Sequence, residues 1–251
     1  MKKALIIANW KMYVEKPDAA KKFAVALRKQ LRHIPHTSVV IAPPFPLLPT
    51  VALALKGSVA RVGAQTISGE KDEKHTGGVS AGMLKAAGAS MVIIGHSERR
   101  AQGETDDIVR AQVERAQEAG LTAVLCVGEK EQDATGVHFN FIAEQLTHAL
   151  SGAKISSTKL VIAYEPVWAI GKSAIEAMAA SDVREMVIFI RKTLADILGR
   201  PLAVKVPILY GGSVEAGNAK ELLEEGQVGG FLVGHASAEW LTFNEILKNS
   251  K

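Results

Sequence analysis

"KLVIAYEPVWAIGKSA", Lys159 to Ala174, decides between two folds. Leu160–Tyr164 is a continuous apolar run, and it ends in one carboxylate, Glu165. Pro166-Val167-Trp168 follows, then Gly171-Lys172-Ser173. Gly-Lys-Ser also closes a nucleotide-binding P-loop, G-x-x-x-x-G-K-[ST]. Counting back from Gly171 places the first glycine of that motif at residue 166, which is proline. The loop lacks the small residue that lets backbone amides cradle phosphates. The stretch therefore reads as a buried strand, a carboxylate at its end, and a loop that covers it.

The same pattern recurs along the chain. Short apolar runs stand at Ala4–Ala8, Val39–Ala42, Val59–Ala64, Met91–Ile94, Thr122–Val127, Leu160–Tyr164, Val206–Tyr210 and Gly230–Val233. Runs without polar alternation are strands buried on both faces, as in a parallel sheet. Helical patterns lie between them. In "SDVREMVIFIRKTLADIL", Val183, Met186, Val187, Ile190, Leu194 and Ile197 recur at helical spacing. Ser181 is the candidate N-cap there, and Gly199 with Pro201 the stop. Thr105 caps a second helix that Gly120 ends, and Pro17 suits the first turn of a third, through about Leu31.

Alternation of strand and helix implies a parallel sheet. Eight units in 251 residues imply a closed (β/α)₈ barrel, an α/β fold in one domain over residues 1–251. The alternative is an open doubly wound sheet, marked by a glycine-rich turn after the first strand. Here that strand leads into Asn9-Trp10-Lys11, with no glycine.

Composition narrows the partners. At 47% hydrophobic and 22% charged the chain is ordinary globular protein, long enough for a large core. The net charge of +4 comes from scattered basic residues, which suits anionic small molecules rather than nucleic acid. Cys126 is the only cysteine, so no disulfide forms within the chain, as fits a reducing cytosol. The apolar run at the start is broken by Asn9 and Lys11, too soon for a signal peptide. Nothing approaches the roughly 20 apolar residues of a membrane span. The expectation is a cytoplasmic protein with no nucleic-acid or membrane partner.

In a barrel, function collects at the C-terminal ends of the strands. Those ends carry Asn9 and Lys11, Gln65, His96 and Glu98, Glu129, Glu165, Gly211-Gly212-Ser213 and Gly234-His235. Each alone has an ordinary reading: a surface carboxylate, a structural histidine, a solvated lysine, a strand-to-helix turn. Their arrival at successive strand ends is what points to a site. They make a mouth with one candidate acid/base carboxylate, one imidazole, one cation and two glycine-rich turns. His33 and His36 read as a surface pair, and no histidine spacing marks a metal site.

The motifs "ANWKM", "GHSERR", "CVGE", "AYEPVWAIG" and "LYGGSV" stand along the whole chain in that order. By them the sequence closely resembles the triosephosphate isomerase family. The resemblance implies interconversion of dihydroxyacetone phosphate and D-glyceraldehyde 3-phosphate through an enediolate, without a cofactor. It implies Glu165 as the base, neutral His96 as the electrophile, Asn9 and Lys11 as substrate contacts, and Glu98 as a supporting carboxylate. It places the phosphate at Gly171, Ser213, Gly234 and His235, and implies a homodimer. Glu165 is expected to face His96 across a gap the size of a triose phosphate. The alternatives are isomerisation of a related sugar phosphate, such as a tetrulose phosphate, and a catalytically silent phosphate-binding barrel.

Four stretches depart from the family pattern. The covering loop usually reads P-V-W-A-I-G-T-G-K-[TS]-A, and here "PVWAIGKSA" lacks the Thr-Gly pair. That puts the usual lid partner of Ser213 in question and predicts a slower enzyme that loses more enediolate to elimination. The eighth strand usually ends V-G-G-A-S, and here "VGHAS" puts His235 in place of a glycine. In "GEKDEKHTGG" Gly78 replaces a usual glutamate, and Ala101-Gln102 replaces a usual aromatic, both on the expected subunit contact. The run Gly69 to His75 reads as a solvated loop.

Overall fold

The computed structural model describes residues 3–70, 74–131, 136–172 and 177–250. Eight parallel strands close into a barrel in sequence order. They are β1 (Ala4–Asn9), β2 (Thr37–Ala42), β3 (Arg61–Ala64), β4 (Met91–Ile94), β5 (Thr122–Val127), β6 (Leu160–Tyr164), β7 (Ile208–Tyr210) and β8 (Gly230–Val233). β8 returns to β1, with Ile7 opposite Leu232 on one side and Val40 on the other. Closure excludes the open doubly wound sheet and leaves no free edge.

Period-two alternation divides each strand between two cores. Leu5, Ile7, Val40, Ile93, Val124, Cys126, Val161 and Leu232 belong to one buried cluster, the filled inside of the barrel. Their neighbours Ile6, Val39, Ile41, Val92, Leu125 and Ile162 belong to the larger cluster shared with the helices. The apolar runs show no polar alternation because both faces are covered.

The helices follow their end signals. Pro17–Gln30 begins on proline, has Asp18 in its first turn and Arg28 and Lys29 in its last. Those charges complement the helix dipole. Its buried stripe, Ala20, Phe23, Ala24 and Leu27, lies against the barrel. Thr105 caps Asp106–Glu118 by accepting from the Ile108 amide. Three expectations need correction. Val59 is exposed and β3 starts at Arg61, while Val206 and Pro207 precede β7. The long helix is Ala180–Leu198, with its backbone turning extended at Ala179, so Ser181 lies inside the first turn. Its hydroxyl bonds the Asp182 carboxylate instead of capping. Pro201 sits in the first turn of the next short helix, Arg200–Ala203. His33 and His36 are both exposed, as a surface pair should be. In the run Gly69 to His75, residues 71–73 lie outside the described residues, and Lys74 and His75 are exposed.

Candidate active site

All eight strands point their C-terminal ends the same way, so the residues just past them share one rim. A cavity of about 500 Å³ opens there. Asn9, Lys11, His96, Glu98, Glu165, Gly171, Ser213, Gly234 and His235 all line it. That volume is in the usual range for small-molecule sites.

Lys11 sits just past β1 with φ +45°, a left-handed conformation uncommon outside glycine. Its neighbours hold it there. The Asn9 side-chain oxygen accepts from the Lys11 amide at 3.1 Å, and Gln65 donates to the Lys11 carbonyl at 2.9 Å. Gln65 also bonds the Ala42 carbonyl, so β1, β2 and β3 are laced together beneath the lysine. The strained backbone aims the ammonium across the mouth, where Nζ lies 2.6 Å from Glu98 Oε1. Gly234, past β8, leaves room for it: an added Cβ would lie 3.4 Å from Lys11 Cε.

His96 lies two residues past β4, as the N-cap of the short helix Ser97–Ala101. Its Nδ1 accepts the Glu98 amide at 3.2 Å. That bond needs an unprotonated Nδ1, so the neutral ring carries its proton on Nε2. Nε2 points into the cavity and is 3.2 Å from Glu165 Oε1. The other oxygen of Glu165 accepts the Ser97 amide at 2.9 Å. The expected triose-sized gap is therefore closed in this state. A carboxylate only 2% exposed needs partners, and the first turn after β4 supplies one.

Two glycines make space for that carboxylate. An added Cβ on Gly211 would lie 2.8 Å from Glu165 Cγ, and one on Gly128 would lie 1.8 Å from the Glu165 carbonyl oxygen. Cys126 lies below, in the barrel interior. Burial, and then the Glu165 charge, push its thiol well above the ordinary range.

The lid begins at Pro166. Val167–Ala169 forms one 3₁₀ turn, held from beneath by Glu129. Glu129 Oε1 accepts from the Tyr164 hydroxyl at 2.9 Å and from Trp168 Nε1 at 2.7 Å, and its carbonyl accepts the Val167 amide. Burial, then the Glu129 charge, raise the Tyr164 phenol far above its usual value. Ser213 donates to the Ala169 carbonyl at 3.0 Å. The loop thus has a serine anchor at the carbonyl two residues before Gly171. Lys172 Nζ lies 6.0 Å from the centre of the Trp168 ring. Ser173 and Ala174 lie outside the described residues.

Glu129, Gln65 and Tyr13 were not assigned roles from sequence. Glu129 and Gln65 were visible as polar residues at strand ends, but their partners are 39 and 54 residues away. Tyr13 had no signal at all. Among the described residues no group of three or more His, Cys, Asp or Glu could hold a metal. Nor is any helix there long and apolar enough to cross a membrane.

Comparison with known proteins shows the family of the chain as a whole. A family model described as triosephosphate isomerase matches residues 4–250. The chain is 41% identical over 253 residues to a triosephosphate isomerase of Carboxydothermus hydrogenoformans, covering all of both proteins. It is 40% identical to that of Solibacter usitatus, over 98% of this chain and 99% of the other. The crystal structure of triosephosphate isomerase from Bartonella henselae superposes with a TM-score of 0.85 at 36% identity, over 98% of each chain.

Proposed function

Since the chain belongs to the triosephosphate isomerase family and interconverts dihydroxyacetone phosphate and D-glyceraldehyde 3-phosphate, we propose which groups carry each step. Substrate enters between Glu165 and His96. Glu165 leaves the Ser97 amide, a bond to a charged acceptor worth about 1.5–3 kcal/mol, which substrate contacts and loss of water must offset. The freed carboxylate takes a proton from C1 of the ketone, and the electron pair moves onto the C2 oxygen as an enediolate. The neutral His96 Nε2–H donates to that oxygen. A preorganised donor of this kind is worth about 2.7–4 kcal/mol at the developing charge. His96 then shuttles the hydroxyl proton between the two oxygens, and Glu165 returns the carbon proton to C2. No electrons leave the substrate, so the balance needs no cofactor.

Lys11 supplies fixed positive charge to the dianion, and Glu98 holds the lysine over the mouth. Asn9 fixes the Lys11 backbone. The backbone amides at Gly171, Ser213, Gly234 and His235 bind the phosphate at the loops after β6, β7 and β8. The lid's tie to Glu129 and Ser213 supports closure over the bound enediolate. The whole chain acts as one domain in the cytoplasm and as a homodimer. Met12, next to the working lysine, is 84% exposed in the lone chain, which favours a neighbouring subunit covering it.

The observation that carries these assignments is the 3.2 Å approach of Glu165 to His96 Nε2 inside the cavity. A coupled assay on purified protein tests them. Turnover is expected in the wild type and not in Glu165→Ala. Equal rates in the two would remove Glu165 from the reaction. Mass measured over a dilution series, beside the rate, tests the dimer.

A further inference from the structure

The eighth turn carries a side chain that backbone binding of phosphate does not use. His235 opens the 3₁₀ turn His235–Ser237 after β8 and is exposed. It lines the same cavity as Lys11, Ser213 and Gly234. Its ring meets the ring of Tyr13 edge to face, with centroids 5.1 Å apart and an 85° angle between planes. Such pairs hold a ring in place beyond the area they bury. The two residues come from opposite ends of the chain, yet their backbones are tied. The buried Trp10 donates from Nε1 to the Ser237 carbonyl at 3.0 Å, and its own carbonyl accepts the Tyr13 amide at 2.9 Å. One indole thus fixes both the loop bearing Tyr13 and the turn bearing His235.

We propose that the His235 imidazole is a specificity-determining wall of the phosphate subsite, positioned by Tyr13, and that its charged form binds the phosphate dianion more tightly. The proposal rests on the reading of this rim as the phosphate site. Imidazole is the side chain that gains charge between about pH 8 and 5, and a cation facing a dianion gains most where water is displaced.

The surroundings set the field. Lys11 and Lys172 are the cations that line the cavity with His235, Glu98, Glu165 and Glu215 are its carboxylates, and Tyr13 covers one edge of the ring. A second cavity behind His235, of about 420 Å³, is lined by Glu215, Glu239 and Glu245. Glu239 is spent as a helix cap, accepting from the Thr242 amide and hydroxyl, and Glu245 is 2.7 Å from Lys248. The imidazole therefore lines both the proposed phosphate cavity and the acidic cavity beside it. Where the family pattern has glycine, only backbone would be present.

The test compares wild type with His235→Gly, His235→Gln and Tyr13→Leu. KM and kcat for the ketone substrate are measured near pH 6 and pH 8. Binding of inorganic phosphate is measured at the same pH values by its effect on the unfolding temperature. The monoester itself takes up a proton near pH 6, so the readout is the ratio of each variant to wild type at one pH. His235→Gly is expected to raise KM and weaken phosphate binding about 3- to 5-fold near pH 6. The change at pH 8 should be smaller, and it should fall on KM rather than kcat. Gln should keep part of the hydrogen bonding but lose the pH dependence, and Tyr13→Leu should fall between. Ratios that are the same at both pH values, or no loss of phosphate binding at pH 6, would overturn the proposal. An inactive wild type that still shows His235-dependent phosphate binding would sink the catalytic assignments and leave this one standing.

Discussion

The two sides of the cavity are built differently. On the proton-transfer side, Asn9, Lys11, His96 and Glu165 stand on or just past β1, β4 and β6, and each is held by a specific hydrogen bond or ion pair. On the side proposed for the phosphate, Gly171, Ser213, Gly234 and His235 lie in loops and turns past the strand ends. Chemistry that needs geometry within a fraction of an ångström is anchored to the barrel. Under the proposed assignments, recognition of a symmetric, highly charged group leaves more latitude in loop and side chain than proton transfer does.

That contrast predicts a graded response. The largest effect belongs to the base: Glu165→Gln should lower kcat about 10²–10⁴-fold, with phosphate affinity nearly unchanged. A parallel loss of phosphate binding would mean that the two sides are not separate. Next comes Gly211→Ala, whose methyl would stand 2.8 Å from Glu165 Cγ. Displacing the base by about 1 Å should cost roughly 10²-fold in kcat, so an unaltered kcat would show that Glu165 is not held where it works.

How much of this was legible in sequence follows the same division. The eight strands and the motif residues could be read because each rests on a local pattern: an apolar run, a polar residue at its end, a glycine turn. The fit of Glu165 against the Ser97 amide could not, because it is a rotamer choice made among buried neighbours. Nor could the pairing of Glu129 with Trp168, or of Tyr13 with His235, since pairing across the barrel mouth depends on closure rather than on nearby residues. The strand starts at β3 and β7 were misplaced for a related reason: Val59 and Val206 extend an apolar run without reaching a neighbouring strand.

The lid gives the third and milder test. Glu129→Gln weakens two bonds to a charged acceptor, and Ser213→Ala removes one neutral bond. We expect kcat to fall about 5- to 10-fold in the first and less in the second, with more phosphate released by elimination. Inserting Thr-Gly after Gly171 should act in the opposite direction, and an unchanged rate and by-product yield would detach the short loop from both. The smallest effect concerns the barrel interior. Cys126 is buried, with its thiol held protonated by burial and by Glu165. Folded enzyme near pH 8 should react with a soluble disulfide reagent about 10²-fold more slowly than free cysteine. Rapid modification would mean that the floor of the site opens to solvent.

The convergence of one carboxylate and one neutral imidazole on a single small molecule is decided most directly by the structure of the protein bound to a phosphoglycolate-like analogue. Glu165 should have left the Ser97 amide and stand on one side of the ligand, with His96 Nε2 on another and the phosphate at the turns after β7 and β8. A bound analogue that leaves the 2.9 Å bond to Ser97 intact, or that lies away from the two side chains, would contradict the account.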